Sequence, residues 1–170
     1  HELLRQYAAE RLIENEAQAE AVRSAHSRYY LNALAEREAK LKGREQQTTL
    51  AEIEADIENV RAAWQWGVEQ GDVAGLAGAM DALGLFFEWN GRYQDGAAAF
   101  GQLLNSLNQQ HVPLAAKAMI WAAVFENVLD GVDHATQRLD DVQLIIDGLA
   151  SDQFELIAFL HFEKAKLIFR

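Results

Sequence analysis

Apolar residues recur at three- and four-residue intervals along nearly the whole chain, and no stretch sustains the alternation of a half-buried strand. The pattern predicts helices. Over residues 2–14, Leu4, Ala8 and Leu12 share a stripe, with Leu3 and Tyr7 beside it. A longer helix is predicted from about Ala17 to Leu41, with Val22, Ala25, Tyr29, Ala33 and Leu34 on its apolar face and Gly43 as its C-cap. A third begins after Thr48 or Thr49, where Thr49 and Glu52 match a capping box. Its stripe is Ile53, Ile57, Val60 and Trp64, and Gly71 ends it.

Beyond Gly71 the helices shorten. Asp72 can cap a helix reaching about Asn90, Gly91 turns the chain, and a partner helix runs from Tyr93 to about Gln109. Pro113 suits the first turn of the next helix, which ends near Asp130–Gly131. Another continues to about Leu149, and Ser151 or Asp152 caps a last one that is still running at Arg170. A single proline in 170 residues fits helix throughout, since proline disrupts helix interiors and central strands alike. The first helices of successive pairs start near 72, 113 and 151, separations of 41 and 38. Stacked helix-pair repeats recur in this range, each pair burying its apolar face on its neighbours. A chain that starts at His1 and stops inside a helix leads us to expect a segment of a longer protein.

Composition narrows the functions. Half of the residues are apolar, enough for a sizeable core. The net charge is −11, and it is uneven: residues 1–45 hold 8 basic against 8 acidic side chains, and the rest hold 7 against 18. An acidic chain repels phosphate backbones and anionic lipid, so neither direct nucleic-acid binding nor membrane association is expected. The absence of cysteine removes disulfides, thiolate nucleophiles and Cys-based zinc sites, and fits a reducing compartment. No apolar stretch reaches the roughly 18 residues that span a membrane, and no signal peptide is visible.

Catalytic signals are weak. There is no Gly-x-x-x-x-Gly-Lys-Ser/Thr loop, and Gly71, Gly75, Gly78, Gly84, Gly91, Gly96 and Gly101 suit helix ends and close helix contacts better than a phosphate cradle. His1, His26, His111, His134 and His161 contain no helical metal pair. Asp140-Asp141 and the alternating Glu52, Glu54, Asp56 and Glu58 do not converge on one point of a helix. Ser24, Ser27, Ser106 and Ser151 lack a strand–turn–helix setting. No enzyme chemistry is expected here, and neither a metal nor a cofactor.

Met80-x-x-Leu83-Gly84-x-x-Phe87, followed by Gly91-Arg92-Tyr93 and Phe100, resembles the tetratricopeptide repeat. That resemblance implies an all-α fold: a right-handed superhelix of antiparallel helix pairs, preceded by longer helices. Gly96, where alanine is usual, and Leu103, where a small residue is usual, depart from the motif. The next pair, with Met119, Ala122-Ala123, Ala135 and Leu139, is looser. A wider resemblance runs over roughly residues 1–110. His1-Glu2-Leu3-Leu4-Arg5-Gln6-Tyr7-Ala8-Ala9-Glu10-Arg11-Leu12, Ala25-His26-Ser27-Arg28-Tyr29-Tyr30-Leu31, and Glu58-Asn59-Val60-Arg61-Ala62-Ala63 with Trp66, ahead of Gly71-Asp72, are similar to the helical region of STAND-type bacterial signalling ATPases and transcriptional regulators (AfsR-, MalT- and LuxR-like). It implies a helical connector (1–45) and divergent repeats (46–170). The parent would be a cytoplasmic, ATP-regulated switch, with ATP bound elsewhere in it.

Trp64, Trp66, Trp89 and Trp121 are first read as core packing between helices. By analogy with the repeat, the inner face would present Asp81, Leu85, Glu88 and Trp89 from one pair, and Lys117, Ile120, Val124 and Asn127 from the next. Such a lining suits a basic or apolar peptide, or a small polar ligand stacked on Trp89. The expected role is non-enzymatic: sensing and protein interaction, with a protein or peptide partner or a small-molecule inducer. The alternative is a plain scaffold or self-association module, forming a homo-oligomer without small-molecule sensing.

Overall fold

A computed structural model describes residues 16–107, 111–149 and 153–168. The helix expected over 2–14, the helix end expected near Gln109 and the Ser151 or Asp152 cap lie outside them. The described residues form eight helices and no strand: α1 (Glu16–Leu41), α2 (Gln46–Ala55), α3 (Ile57–Gln70), α4 (Val73–Trp89), α5 (Tyr93–Ser106), α6 (Val112–Leu129), α7 (Val132–Asp147) and α8 (Phe154–Ile168).

Local chemistry sets the boundaries around α4. Gly71 ends α3 in the left-handed conformation (φ 67°), with the Asp72 N–H on Gly67 O at 2.9 Å and the Gly71 N–H on Val68 O at 3.3 Å. That double closure satisfies carbonyls the helix leaves open. Asp72 then starts α4, its carboxylate accepting from Gly75 N–H at 3.0 Å. Gly91 (φ 67°) repeats the closure after α4, with the Arg92 N–H on Phe87 O at 2.9 Å.

Two boundaries differ from expectation. The capping box at Thr49 is not formed: α2 begins a turn earlier, and Thr49 is buried inside it with its hydroxyl donating to Glu45 O at 2.9 Å. Thr49 and Ile53 lie one turn apart on the buried face, so packing draws the helix back past the polar signal. The helix also breaks at Asp56, whose N–H bonds Ile53 O, although the stripe of Ile53, Ile57, Val60 and Trp64 stays buried across the break. Gly43 follows α1 and bonds Lys40 O at 3.1 Å, but its φ is not positive.

The core has two parts. The larger joins α1 to α6 and contains Leu31, Leu34, Leu41, Ile53, Trp64, Leu76, Met80, Leu83, Phe86, Phe87, Phe100, Trp121 and Phe125. Residues on both sides of the 45/46 boundary share it. The second joins α6 to α8 through Ala116, Ile120, Ala123, Ala135, Leu139, Val142, Ile146, Leu156 and Leu160. Both use α6, which packs on α4, α5, α7 and α8. That helix is long and apolar enough to cross a membrane by length and composition, and half of it is buried inside the fold. It is apolar on most sides because it has neighbours on most sides.

Candidate functional site

Val73, Ala77, Asp81 and Leu85 are spaced four residues apart on α4, so they form one stripe, and Glu88 and Trp89 extend it toward the C-terminal end. This stripe is one wall of an open groove of about 910 Å³. Pro113, Leu114, Lys117 and Trp121 of α6 form its base, and α8 supplies the far wall through Leu156, Phe159, Phe162, Glu163 and Lys166. Glu38 and Lys42, at the end of α1, border it as well. No residue of α2, α3, α5 or α7 lines it.

Asp81 ties two helices. Its carboxylate accepts from Lys117 Nζ at 2.6 Å and from the Trp121 indole N–H at 3.1 Å. The indole is otherwise buried: it stacks on Phe125 (6.2 Å between ring centres, 21° between planes) and meets Phe159 at 5.1 Å. Trp121 thus belongs to the core and to the groove at once. A Cβ on Gly84 would overlap its ring, so glycine at that position lets α4 approach α6.

A second tie joins α4 to α8. Lys166 Nζ donates to Glu88 at 2.8 Å and to Glu163 at 3.0–3.1 Å, and Glu163 is buried. Burial alone would lower the Lys166 ammonium, but the hydrogen bonds and charges of Glu88 and Glu163 outweigh it and hold the pKa above its ordinary 10.5.

Of the inner-face residues expected from sequence, Asp81, Leu85, Glu88, Trp89 and Lys117 lie together in the groove. Ile120 does not: it is fully buried in the second core, beneath α7 and α8. Val124 and Asn127 border a separate cavity of about 30 Å³ that shares Glu88, Glu163 and Lys166 with the groove. On α6 the groove-facing pair is Lys117 and Trp121, one turn apart, rather than the stripe through Ile120. Sequence reading also missed Val73, Ala77, Leu156, Phe159, Phe162 and Lys166. The α4 positions were legible from the four-residue spacing, whereas those of α8 depend on how that helix crosses the stack.

The remaining tryptophans are structural. Trp64 is buried and donates to Ala99 O at 3.2 Å, while Trp66 is half-buried against α1, donating to Ser24 Oγ at 3.2 Å with the Arg23 guanidinium over its ring at 5.4 Å. The Ser27 hydroxyl donates to Ala63 O at 2.8 Å, which links α1 to α3. His26 packs on Tyr30 at 4.7 Å, and among the described residues no group of three His, Asp or Glu side chains is placed to hold a metal ion.

Comparison with protein-family models, curated proteins and solved structures finds no match for this chain.

Proposed function

We propose that this chain is a non-enzymatic sensing and interaction segment that receives a ligand in the groove. The single observation that carries the reading is the lining itself. The first helix of each pair, α4, α6 and α8, faces the groove, and the second helices α5 and α7 do not. This division of labour supports a tetratricopeptide-like superhelix with the groove as its inner face. Apolar surface from Val73, Ala77, Leu85, Leu114 and Phe159 alternates with charged groups, most of them held by partners, a mixture that suits binding. The resemblance of the flanking stretches supports placing the segment in a cytoplasmic, ATP-dependent signalling or transcription regulator, with the α1 region as connector. A phosphate-cradling motif encoded ahead of His1 in the same gene would support that placement, and a gene without an ATPase there would remove it.

The groove is tested by a thermal-shift screen of peptides and metabolites on the wild-type chain and on Ala77→Trp. Ala77 is exposed on the α4 wall, so an indole there fills the groove and leaves the core intact. A ligand at a hundredfold excess over its Kd raises Tm by about 5–10 °C for a domain of this size. The shift is expected to vanish in Ala77→Trp. A ligand that stabilises both proteins equally contradicts the groove as its site.

Leu144 in α7 and Phe154 in α8, 73% and 75% exposed, favour the scaffold as a second reading. A defined oligomer by size-exclusion chromatography with light scattering, dispersed by Phe154→Ser, would support it.

A further inference from the structure

We infer that the groove selects a basic, apolar peptide segment over an acidic or uncharged one, an inference that rests on reading the groove as the binding site. Five carboxylates line the groove, Glu38, Asp81, Glu88, Glu155 and Glu163, against three lysines. Each lysine is already engaged: Lys42 with Glu38 at 2.6 Å, Lys117 with Asp81 at 2.6 Å, and Lys166 with both Glu88 and Glu163. Glu155 is exposed in the first turn of α8 and takes part in no ion pair among the described residues. An incoming carboxylate would therefore have to displace one already bound to a lysine. An incoming ammonium or guanidinium meets uncommitted negative charge at once.

Two further features fit a cationic peptide. Trp89, 40% exposed beside Glu88, gives the groove an aromatic ring that attracts a guanidinium or ammonium, and the neighbouring carboxylate reinforces the attraction. The groove is also long. Its α4 wall runs from Val73 to Trp89, about 24 Å at the rise of an α-helix. A compact metabolite would fill only part of that length, whereas about four turns of helix, or seven extended residues, would span it. Between the charges the walls are apolar, so the matching segment carries aliphatic or aromatic anchors as well as Lys or Arg.

The test uses the 170-residue chain and three fluorescein-labelled peptides of about four helical turns each, built from Leu–Lys, Leu–Gln and Leu–Glu in an amphipathic pattern, read by fluorescence anisotropy. The Leu–Lys peptide is expected to bind at least about tenfold tighter than the Leu–Gln peptide, with no saturable binding of the Leu–Glu peptide. Glu155→Lys should weaken Leu–Lys binding about three- to tenfold, and Trp89→Ala about tenfold. Both positions are exposed, and circular dichroism checks that the variants fold. Glu69→Lys, the same charge change on α3, which does not line the groove, should alter binding less than about twofold. Glu155→Lys and Glu69→Lys weakening binding equally would mean diffuse attraction to an acidic chain, and would overturn the inference. Leu–Gln or Leu–Glu binding as tightly as Leu–Lys, and still sensitive to Trp89→Ala, would overturn the basic selection while leaving the groove as the site. No saturable binding by any peptide would overturn the inference too, and a thermal-shift screen without a groove-dependent ligand would then remove the site reading separately.

Discussion

Around α5 the helices meet through rings and glycines. Phe87, Phe100, Trp121 and Phe125 form one buried group, with Phe125 stacked on Phe100 (5.7 Å, 24°) and edge-on to Phe87 (6.5 Å, 78°). Gly84 and Gly96 lie where a Cβ would overlap the Trp121 and Phe125 rings. Around α7 they meet through alanines and branched aliphatics, with charge at the margins: Arg138 grips Glu126 with two bonds of 2.6 Å, and Lys164 reaches Asp140 at 2.8 Å. The groove takes one wall from each kind of region. Its α4 wall is keyed to α6 by rigid rings, which have few alternative placements. Its α8 wall rests on Leu156, Leu160 and Phe159 and on the Lys166 tie. Adjustment of the groove to an occupant is therefore expected at α8 rather than at α4.

The largest effect should come from removing a ring on the α5 side. Phe125→Ala should cost about 4 kcal/mol, and Leu139→Ala, equally buried in the second cluster, about 3 kcal/mol, both read by urea unfolding. A reversed order would break the distinction between the two regions. Adding a single methyl sharpens it. Gly84→Ala and Gly96→Ala should each cost about 2 kcal/mol, because a buried ring rather than a flexible chain end stands in the way. Gly101→Ala, with nothing near its Cβ and a helical setting, should be neutral or stabilising by about 0.5 kcal/mol.

The departure at Gly96 shows what was and was not legible in the sequence. Met80, Leu83, Gly84 and Phe87 mark a helix pair because each fills or vacates a fixed place in a close helix contact, and the structure places all four in the core. Gly96 looked like a defect in the motif, yet it makes room for Phe125, a residue 29 positions later that no local pattern connects to it. The ends of α3 and α4 were readable from Gly71, Asp72 and Gly91, since capping is local chemistry. The break at Asp56 was not, because neither glycine nor proline marks it. Groove positions followed the same division. Asp81 and Glu88 are the only charged residues of α4 and mark its open side, opposite the buried Met80, Leu83 and Phe87, whereas α6 is buried from Ile120 through Phe125 and its apolar pattern names no inner side.

The Lys166 tie is the next test in size. Lys166→Met should cost about 1–2 kcal/mol at neutral pH, because it leaves buried Glu163 without that cation. The folded-state pKa is raised, so the stabilisation is fully present below the unfolded value near 10.4 and is lost as pH rises through the folded value. The difference between wild type and variant, measured by urea unfolding, should therefore be flat from about pH 7 to 9.5 and shrink above about pH 10.4. The smallest effect is expected at Lys42, whose i,i+4 pair with Glu38 is exposed: Lys42→Ala should change stability by less than about 0.5 kcal/mol.

The most direct measurement is the backbone amide NMR spectrum of the chain during titration with the Leu–Lys peptide. Binding in the groove predicts shifts concentrated at Val73–Trp89 of α4, Leu114–Trp121 of α6 and Leu156–Lys166 of α8, with α2, α3, α5 and α7 little changed. Shifts centred on α2, α3, α5 or α7, or saturable binding with no change at the groove, would contradict the assignment of this face as the working surface.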